Sequence, residues 1–440
     1  MTLLLPLAHG IASVQDPPIP QWLAYYGAAA VLVLSFAALG ALWRTPILEH
    51  ERLRTLFRVP ARALRVLLGA LGLGLFVVVF VAALVGERSV GTNLAPTFIL
   101  VLFWVGLVPL TILFGNVWAW LSPWRAAADL VAWCWGRAAL DWEPPFTYPD
   151  RLGRWPAAFL LFCFAAMELA YTNPSDPRML ALAVAIYSWV TWVGMTAFGR
   201  DVWLRSGEAF AVYFGLISRL SILTLHEGRL ALRSPLHNVA RHHEPPGSVA
   251  FVAVMLGSVA FDGFSRTSYW QNRLFRIDTD LGAIAFGLLG LAVGVALVAA
   301  AYIAAVEVAR RIGREQARLE QAFIGSLIPI SIAYVVAHYA TYLLVQGQLG
   351  IPLASDPFGY GWDLFGTLDY RVNVQPLSAD QIWYLQAGVL ILGHVLGLVI
   401  AHDKALALFG STKVALRTQY AMLGLMVLYT VGGLWLLSRG

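Results

Sequence analysis

The sequence predicts an all-helical integral membrane protein, a polytopic bundle of about ten spanning helices with both termini outside. Three observations carry that prediction. Hydrophobic residues make up 59% of the 440 and charged residues only 12%, about half the ~25% of soluble domains; mean hydropathy is +0.70. The apolar residues gather in runs of about 17–28, long enough to cross a bilayer with some tilt. Lys and Arg crowd into alternate connections, as the positive-inside rule requires.

Taken in order, residues 1–20 form an outer tail or remnant leader. Its apolar run Leu3–Leu7 is too short to span and lacks a basic flank. Cleavage after Ala8 would expose His9 as an amine–imidazole copper chelator; the alternative is a solvated tail ended by Pro17, Pro18 and Pro20. Spans follow near 22–43, 64–85, 97–119, 155–173, 179–199, 248–266, 279–306, 322–346, 381–401 and 418–437. With the N-terminus outside, the inner connections hold 23 of the 30 Lys and Arg residues. The basic charge thus belongs to a membrane face, and the formal +5 does not call for nucleic acid. The bilayer is the first partner.

The inner connections 121–154 and 200–247 are more than loops. Trp124–Leu140 and Val202–Leu223 mix Trp, Phe and Leu with Arg and an acid, the pattern of amphipathic helices lying at the interface. Each follows a similar phrase, Phe114-Gly-Asn-Val-Trp118 and Phe198-Gly-Arg-Asp-Val-Trp203, with Trp-Val-Gly upstream at 104–106 and 192–194. Internal repeats of this kind are common in transporters. The 200–247 connection also carries His226, His237, His242 and His243; the His237-to-His242/His243 spacing suggests a metal site, but a basic, Pro-rich stretch with no Cys and few acids reads better as a solvated loop. The outer loop 347–380 is dense in turn residues and aromatics; Asp356 and Asp363 either face an entrance or cap local backbone. Gly69, Gly72 and Gly74, and Gly287, Gly290 and Gly294, permit close helix approach. Pro109 and Pro329 are expected to kink their helices. No composition shift divides the chain, so 1–440 is one membrane domain.

Function is expected where ionisable side chains lie at membrane depth, since burying them is costly. These are Glu168, Asp262, His338 and His394, with Glu307 near an inner end beside Arg310 and Arg311. His338 shares a helix face with Tyr334 and Tyr342. Asp262 and His338 both fall in the outer half of their spans. Two histidines and a carboxylate are a donor set for Zn²⁺ with an open position, whose bound water would attack an ester or phosphoester near neutral pH. In that reading His338, His394 and Asp262 are ligands, and Glu168 is a supporting carboxylate or general base. The same groups suit a proton or ion relay, or plain hydrogen bonding between helices. His402-Asp403-Lys404 is either an inner gate or a helix end with Lys404 reaching toward headgroups.

Several phrases occur together: Gln15-Asp-Pro-Pro-Ile-Pro20, Ser122-Pro-Trp-Arg125, Phe261-Asp-Gly-Phe-Ser-Arg-Thr267, Ala337-His-Tyr339, Ser355-Asp-Pro357, Trp362-Asp-Leu-Phe-Gly366, Gly393-His394 and Ala401-His-Asp403. In this set the chain resembles, over nearly its whole length, the bacterial and largely actinobacterial membrane proteins known as fenitrothion hydrolases. The resemblance implies a multi-pass protein of the bacterial inner membrane linked to hydrolysis of organophosphate triesters, small hydrophobic substrates, alongside a partner subunit. It supplies no catalytic residues to carry over, and the leader here is shorter than it implies. Three functions stand: a phosphotriester hydrolase with a His/Asp site and a divalent metal, a proton- or metal-ion-coupled transporter, and a non-catalytic membrane subunit.

Overall fold

The computed structural model describes residues 18–48, 50, 53–137, 143–242, 244–314 and 318–438; the expectations for His9, His243 and Leu140 lie outside them. Among the described residues, nine helices are long and apolar enough to cross a membrane. They are α1 (Gln21–Leu42), α2 (Ala61–Val85), α3 (Leu94–Phe114), α6 (Pro177–Phe198), α9 (Ser248–Ser265), α10 (Asp280–Gly313), α11 (Leu327–Gln346), α12 (Ala379–Phe409) and α13 (Thr412–Leu437). Between them lie α4 (Pro123–Arg137), α5 (Trp155–Leu169), α7 (Arg200–Ser206) and α8 (Ala209–Ile217). The protein is therefore an all-α polytopic bundle.

The tenth expected span is α5, apolar but only fifteen residues long. At 1.5 Å per residue it covers ~22 Å, most of a crossing of the ~30 Å hydrocarbon core. Helix parity requires that crossing. Tyr25, near the start of α1, is bonded at 3.0 Å to Ser438, just past α13. Both ends of the bundle's path therefore lie on one side, which takes an even number of crossings.

The connections sort by end as their charge predicts. At the Arg-rich end, β1 (Leu53–Arg58) pairs antiparallel with β3 (Arg229–Arg233), which pairs with β2 (Leu223–His226), in the order β1-β3-β2. The 200–247 connection is thus not a solvated loop: it contributes a hairpin, a short helix at Pro235–Ala240 and the buried Glu244. Glu244 lies between Arg154 and Arg219 and bonds to both. At the opposite end, Glu87 and Leu94 donate backbone N–H groups to Phe358 and Pro357 carbonyls, docking the 347–380 loop on the α2–α3 turn. There Asp356 accepts from the Tyr360 and Gly361 amides and Asp363 from Leu368, so both aspartates cap local backbone.

The two similar phrases build the same device. Gly115 and Gly199 end α3 and α6 at φ +88° and +89°, a region that favours glycine, and each is followed by a buried tryptophan, Trp118 or Trp203. What comes next follows expectation in the first case and departs from it in the second. α4 is an amphipathic surface helix, with Leu130, Val131, Trp133 and Trp135 exposed. The second connection is not interfacial: α8 is buried along nearly its whole length, with Tyr213, Phe214 and Ile217 fully enclosed. Its Tyr213 stacks on Trp104 of α3 with ring centroids 4.8 Å apart.

Pro329 does not kink α11. It sits in the first turn of that helix, where its missing N–H would have had no intrahelical partner. Near Pro109, the irregular stretch of α3 is a π-helical segment at Phe98–Phe103, upstream of the proline. Close helix contact does occur at the glycines. A Cβ on Gly72 would lie 1.8 Å from the Leu121 carbonyl oxygen, one on Gly287 3.0 Å from Ala170, and one on Gly290 2.3 Å from the Trp270 ring, whereas Gly74 faces open space.

Candidate functional site

The site forms where α9 meets α11. Asp262 lies one turn before the end of α9, and its position four residues before Arg266 puts both on one helix face. Arg266 curls back and donates Nε (3.1 Å) and Nη2 (3.0 Å) to Asp262 Oδ1. From α11, His338 Nε2 stands 2.8 Å from Oδ2, and the Tyr339 hydroxyl donates to the same oxygen at 3.0 Å. The two α11 rings meet edge-on, 4.7 Å apart. Asp262, His338 and Tyr339 are 2%, 5% and 2% exposed, so this carboxylate exchanges hydration for four donors, the condition for keeping a charge at such depth.

The tyrosine that hydrogen-bonds Asp262 is Tyr339, while the expected Tyr342 is buried within electrostatic reach of Asp262 and Glu168 and the expected Tyr334 turns away. Tyr334 donates instead to the Tyr429 carbonyl of α13. Residues at i and i+1 diverge by about 100° around a helix, so spacing pointed away from Tyr339; only a carboxylate wedged between the two side chains brings them together.

Glu168, at the end of α5, joins the neighbourhood without joining the hydrogen bonds. It is buried, within electrostatic reach of Asp262 and Arg266, and its Oε1 has no hydrogen-bond partner. The buried Tyr213 hydroxyl of α8 is likewise unpartnered and within reach of Glu168. Beside His338, and bounded by Tyr334, Leu390 and Gly433, is a void of about 10 Å³, roughly the size that admits one water.

His394 stands apart. Its Nδ1–H donates to the Leu390 carbonyl at 2.8 Å, leaving Nε2 fully buried with no partner. Its ring packs against Tyr334 and Tyr429, at 5.9 and 6.4 Å between centroids. Among the described residues no three His, Cys, Asp or Glu side chains are grouped to hold a metal. The expected Zn²⁺ set of His338, His394 and Asp262 is thus not assembled. Two tyrosines crowd His394, and the Arg266 guanidinium already occupies the carboxylate side a cation would need. Glu307 bonds only its neighbours Arg310 and Arg311.

Two further polar centres were misjudged from sequence. Glu208 reads as an interfacial acid, yet it is fully buried as the N-cap of α8. It accepts from the Phe210 and Ala211 amides at 2.9 and 2.7 Å, from the Tyr187 hydroxyl of α6, and from the Trp118 indole at 3.5 Å. An acid directly before a nine-residue apolar run was the available signal. His402-Asp403-Lys404 is neither a gate nor a headgroup-facing end. Asp403 accepts from the Trp43 indole (3.0 Å) and from the Ile47 (2.7 Å) and Leu48 (3.1 Å) amides, and His402 Nε2–H donates to the Trp43 carbonyl at 2.9 Å. Lys404 is buried against the Ala240 carbonyl.

These features define a multi-pass helical membrane protein with a buried Arg–Asp–His–Tyr cluster at a helix–helix contact. No protein-family model matches the chain, and no curated protein or solved structure is similar enough to count as a relative.

Proposed function

We propose that this protein is a proton-coupled transporter of the bacterial cytoplasmic membrane, with Asp262 and His338 as its proton-carrying pair and Arg266 as their fixed counter-charge. The observation that carries the reading is the 2.8 Å contact between a carboxylate and an imidazole, both almost sealed from solvent, inside a bundle of apolar helices. Ionisable pairs at that depth characteristically belong to proton and ion pathways, and histidine is the side chain whose ordinary titration falls near neutrality. A proton arriving on His338 would turn the contact into an imidazolium–carboxylate pair and weaken the hold of Asp262 on Arg266; its departure would restore both. The void beside His338 and the unpartnered oxygens of Glu168 and Tyr213 offer positions for the waters such a path needs.

The phosphotriester-hydrolase reading draws less support. It requires an electrophile beside an activated water, whereas the space at His338 is on the scale of a single water and Asp262 already serves four donors. The test uses purified protein in liposomes that enclose a pH-sensitive dye, with an inside-negative potassium diffusion potential. The expected result is proton entry above protein-free vesicles, lost in Asp262→Asn and His338→Ala but kept in His226→Ala on the exposed hairpin. Wild-type entry no faster than in empty vesicles refutes the proposal. Release of nitrophenolate from a nitrophenyl phosphotriester, abolished by the same two variants, would restore the hydrolase; neither activity would leave the supporting-subunit reading.

A further inference from the structure

α5 and α6 follow one another in sequence and both touch α7, but otherwise lean on different neighbours: α5 on α8, α9 and α10, α6 on α2, α3 and α4. A cavity of about 560 Å³ fills the gap between them, inside the ~300–1,000 Å³ range of ligand sites. Phe76, Phe103, Trp118, Trp124, Phe164 and Phe210 form much of its wall. No charged side chain lines it among the described residues.

Two features identify what fits. The first is the entrance. Leu75 of α2, Phe159 of α5 and Ile186 of α6 line the cavity and are also exposed on the apolar outer surface, Phe159 by 66% and Ile186 by 55%. In a spanning bundle that surface meets hydrocarbon, so the opening is lateral, into the bilayer core. The second is the state of the donors. The Trp124 indole donates to Ser188 at 2.8 Å, while the Trp118 indole and the Tyr187 hydroxyl donate to Glu208. A phosphoryl or carbonyl oxygen entering here would find no side-chain N–H or O–H still unbonded, and would lose its hydration without replacement. A hydrocarbon chain would lose nothing and gain dispersion contacts with the rings.

We propose that this cavity holds the hydrocarbon chain of a bilayer lipid, admitted sideways between α5 and α6. The proposal is independent of proton coupling at Asp262. Acyl and prenyl chains share the required chemistry and differ only in source.

Photolabelling distinguishes them. The purified protein is reconstituted with a phospholipid bearing a diazirine in its acyl chain or, separately, with a diazirine-bearing polyprenol, then irradiated and mapped by peptide sequencing. Phe210 is the reporter, because at 4% exposure it is out of reach of lipid that stays outside. Label on Phe210 from either probe is expected, and the probe that succeeds names the source. Ala183→Trp fills the cavity from α6 and abolishes that label. Ala185→Trp, two residues along on the exposed surface and not part of the lining, leaves it intact. Label on Phe159 with none on Phe210 overturns the proposal, as does label on Phe210 that Ala183→Trp fails to remove. Label on Phe210 from a short aryl diazirine but from neither chain probe overturns it in favour of a small aromatic ligand. The wild-type arms decide the question even if Ala183→Trp misfolds.

Discussion

Removing the Asp262 carboxylate tests the geometry of the buried cluster directly. In Asp262→Ala, His338 Nε2 and the Tyr339 hydroxyl lose their shared acceptor in a region where both residues are 5% exposed or less. Each buried group left unsatisfied costs ~1–3 kcal/mol, so the two together cost ~2–6 kcal/mol. Arg266 adds little, because its side chain is 21% exposed and can turn toward water. A loss of about 4 kcal/mol is therefore expected, with His338→Ala alone costing less because Asp262 keeps Arg266 and Tyr339. Since the two side chains share one contact, the double variant should fall short of the sum by ~1–3 kcal/mol. Reversible unfolding of the purified protein in mixed micelles, followed by far-UV circular dichroism as the denaturing detergent fraction rises, measures all four corners of the cycle. Additive single effects, or an Asp262→Ala cost below ~1 kcal/mol, would mean that the pair does not meet.

Three further outcomes follow from other contacts. Burial pushes the Glu244 carboxyl up, but Arg219 and Arg154 outweigh it and hold it below its usual 4.5; the stability it adds is therefore present above that value and lost as pH falls through its folded pKa. Unfolding midpoints measured from pH 6 to 3 should drop more steeply for wild type than for Glu244→Gln. Asp403→Ala should cost about 3 kcal/mol by stranding the Ile47 and Leu48 amides, and limited proteolysis should then cut first between residues 44 and 58; an unchanged cleavage pattern would contradict the anchoring role. Gly433→Ala places a methyl 2.2 Å from the Tyr334 hydroxyl and should cost ~1–3 kcal/mol as an overpacked core, with Tyr334→Phe recovering part of the loss in the same micelle assay.

Hydropathy and charge made the bundle legible because both act residue by residue: a run of apolar side chains needs lipid, and arginines crowd one end whatever their neighbours. Asp262 and His338 were legible as a pair for a related reason, since depth along two spans running in the same direction can be counted. Contacts that depend on rotation about a helix axis were not. His394 lies in a span with the right depth, yet it turns toward Tyr334 and Tyr429. α8 was misassigned because nine apolar residues between charges are too short to span and so resemble a surface helix. Its burial follows from Trp104, Phe103 and Trp118, which supply an aromatic bed from elsewhere in the chain. The hairpin partner of β1 lies about 175 residues downstream, beyond any local pattern.

The clasp of Asp403 and His402 on the segment after α1 carries a consequence for biogenesis. α1 leaves the ribosome well over 300 residues before its helical neighbours α12 and α13 are made. Until residue 403 emerges, the Trp43 indole and the Ile47 and Leu48 amides lack the carboxylate that later receives them. A nascent chain must therefore keep α1 inserted but undocked while the intervening helices are made. Docking of α1 waits on α12 and α13, and until then an insertase or membrane chaperone would find a long-lived client surface on α1.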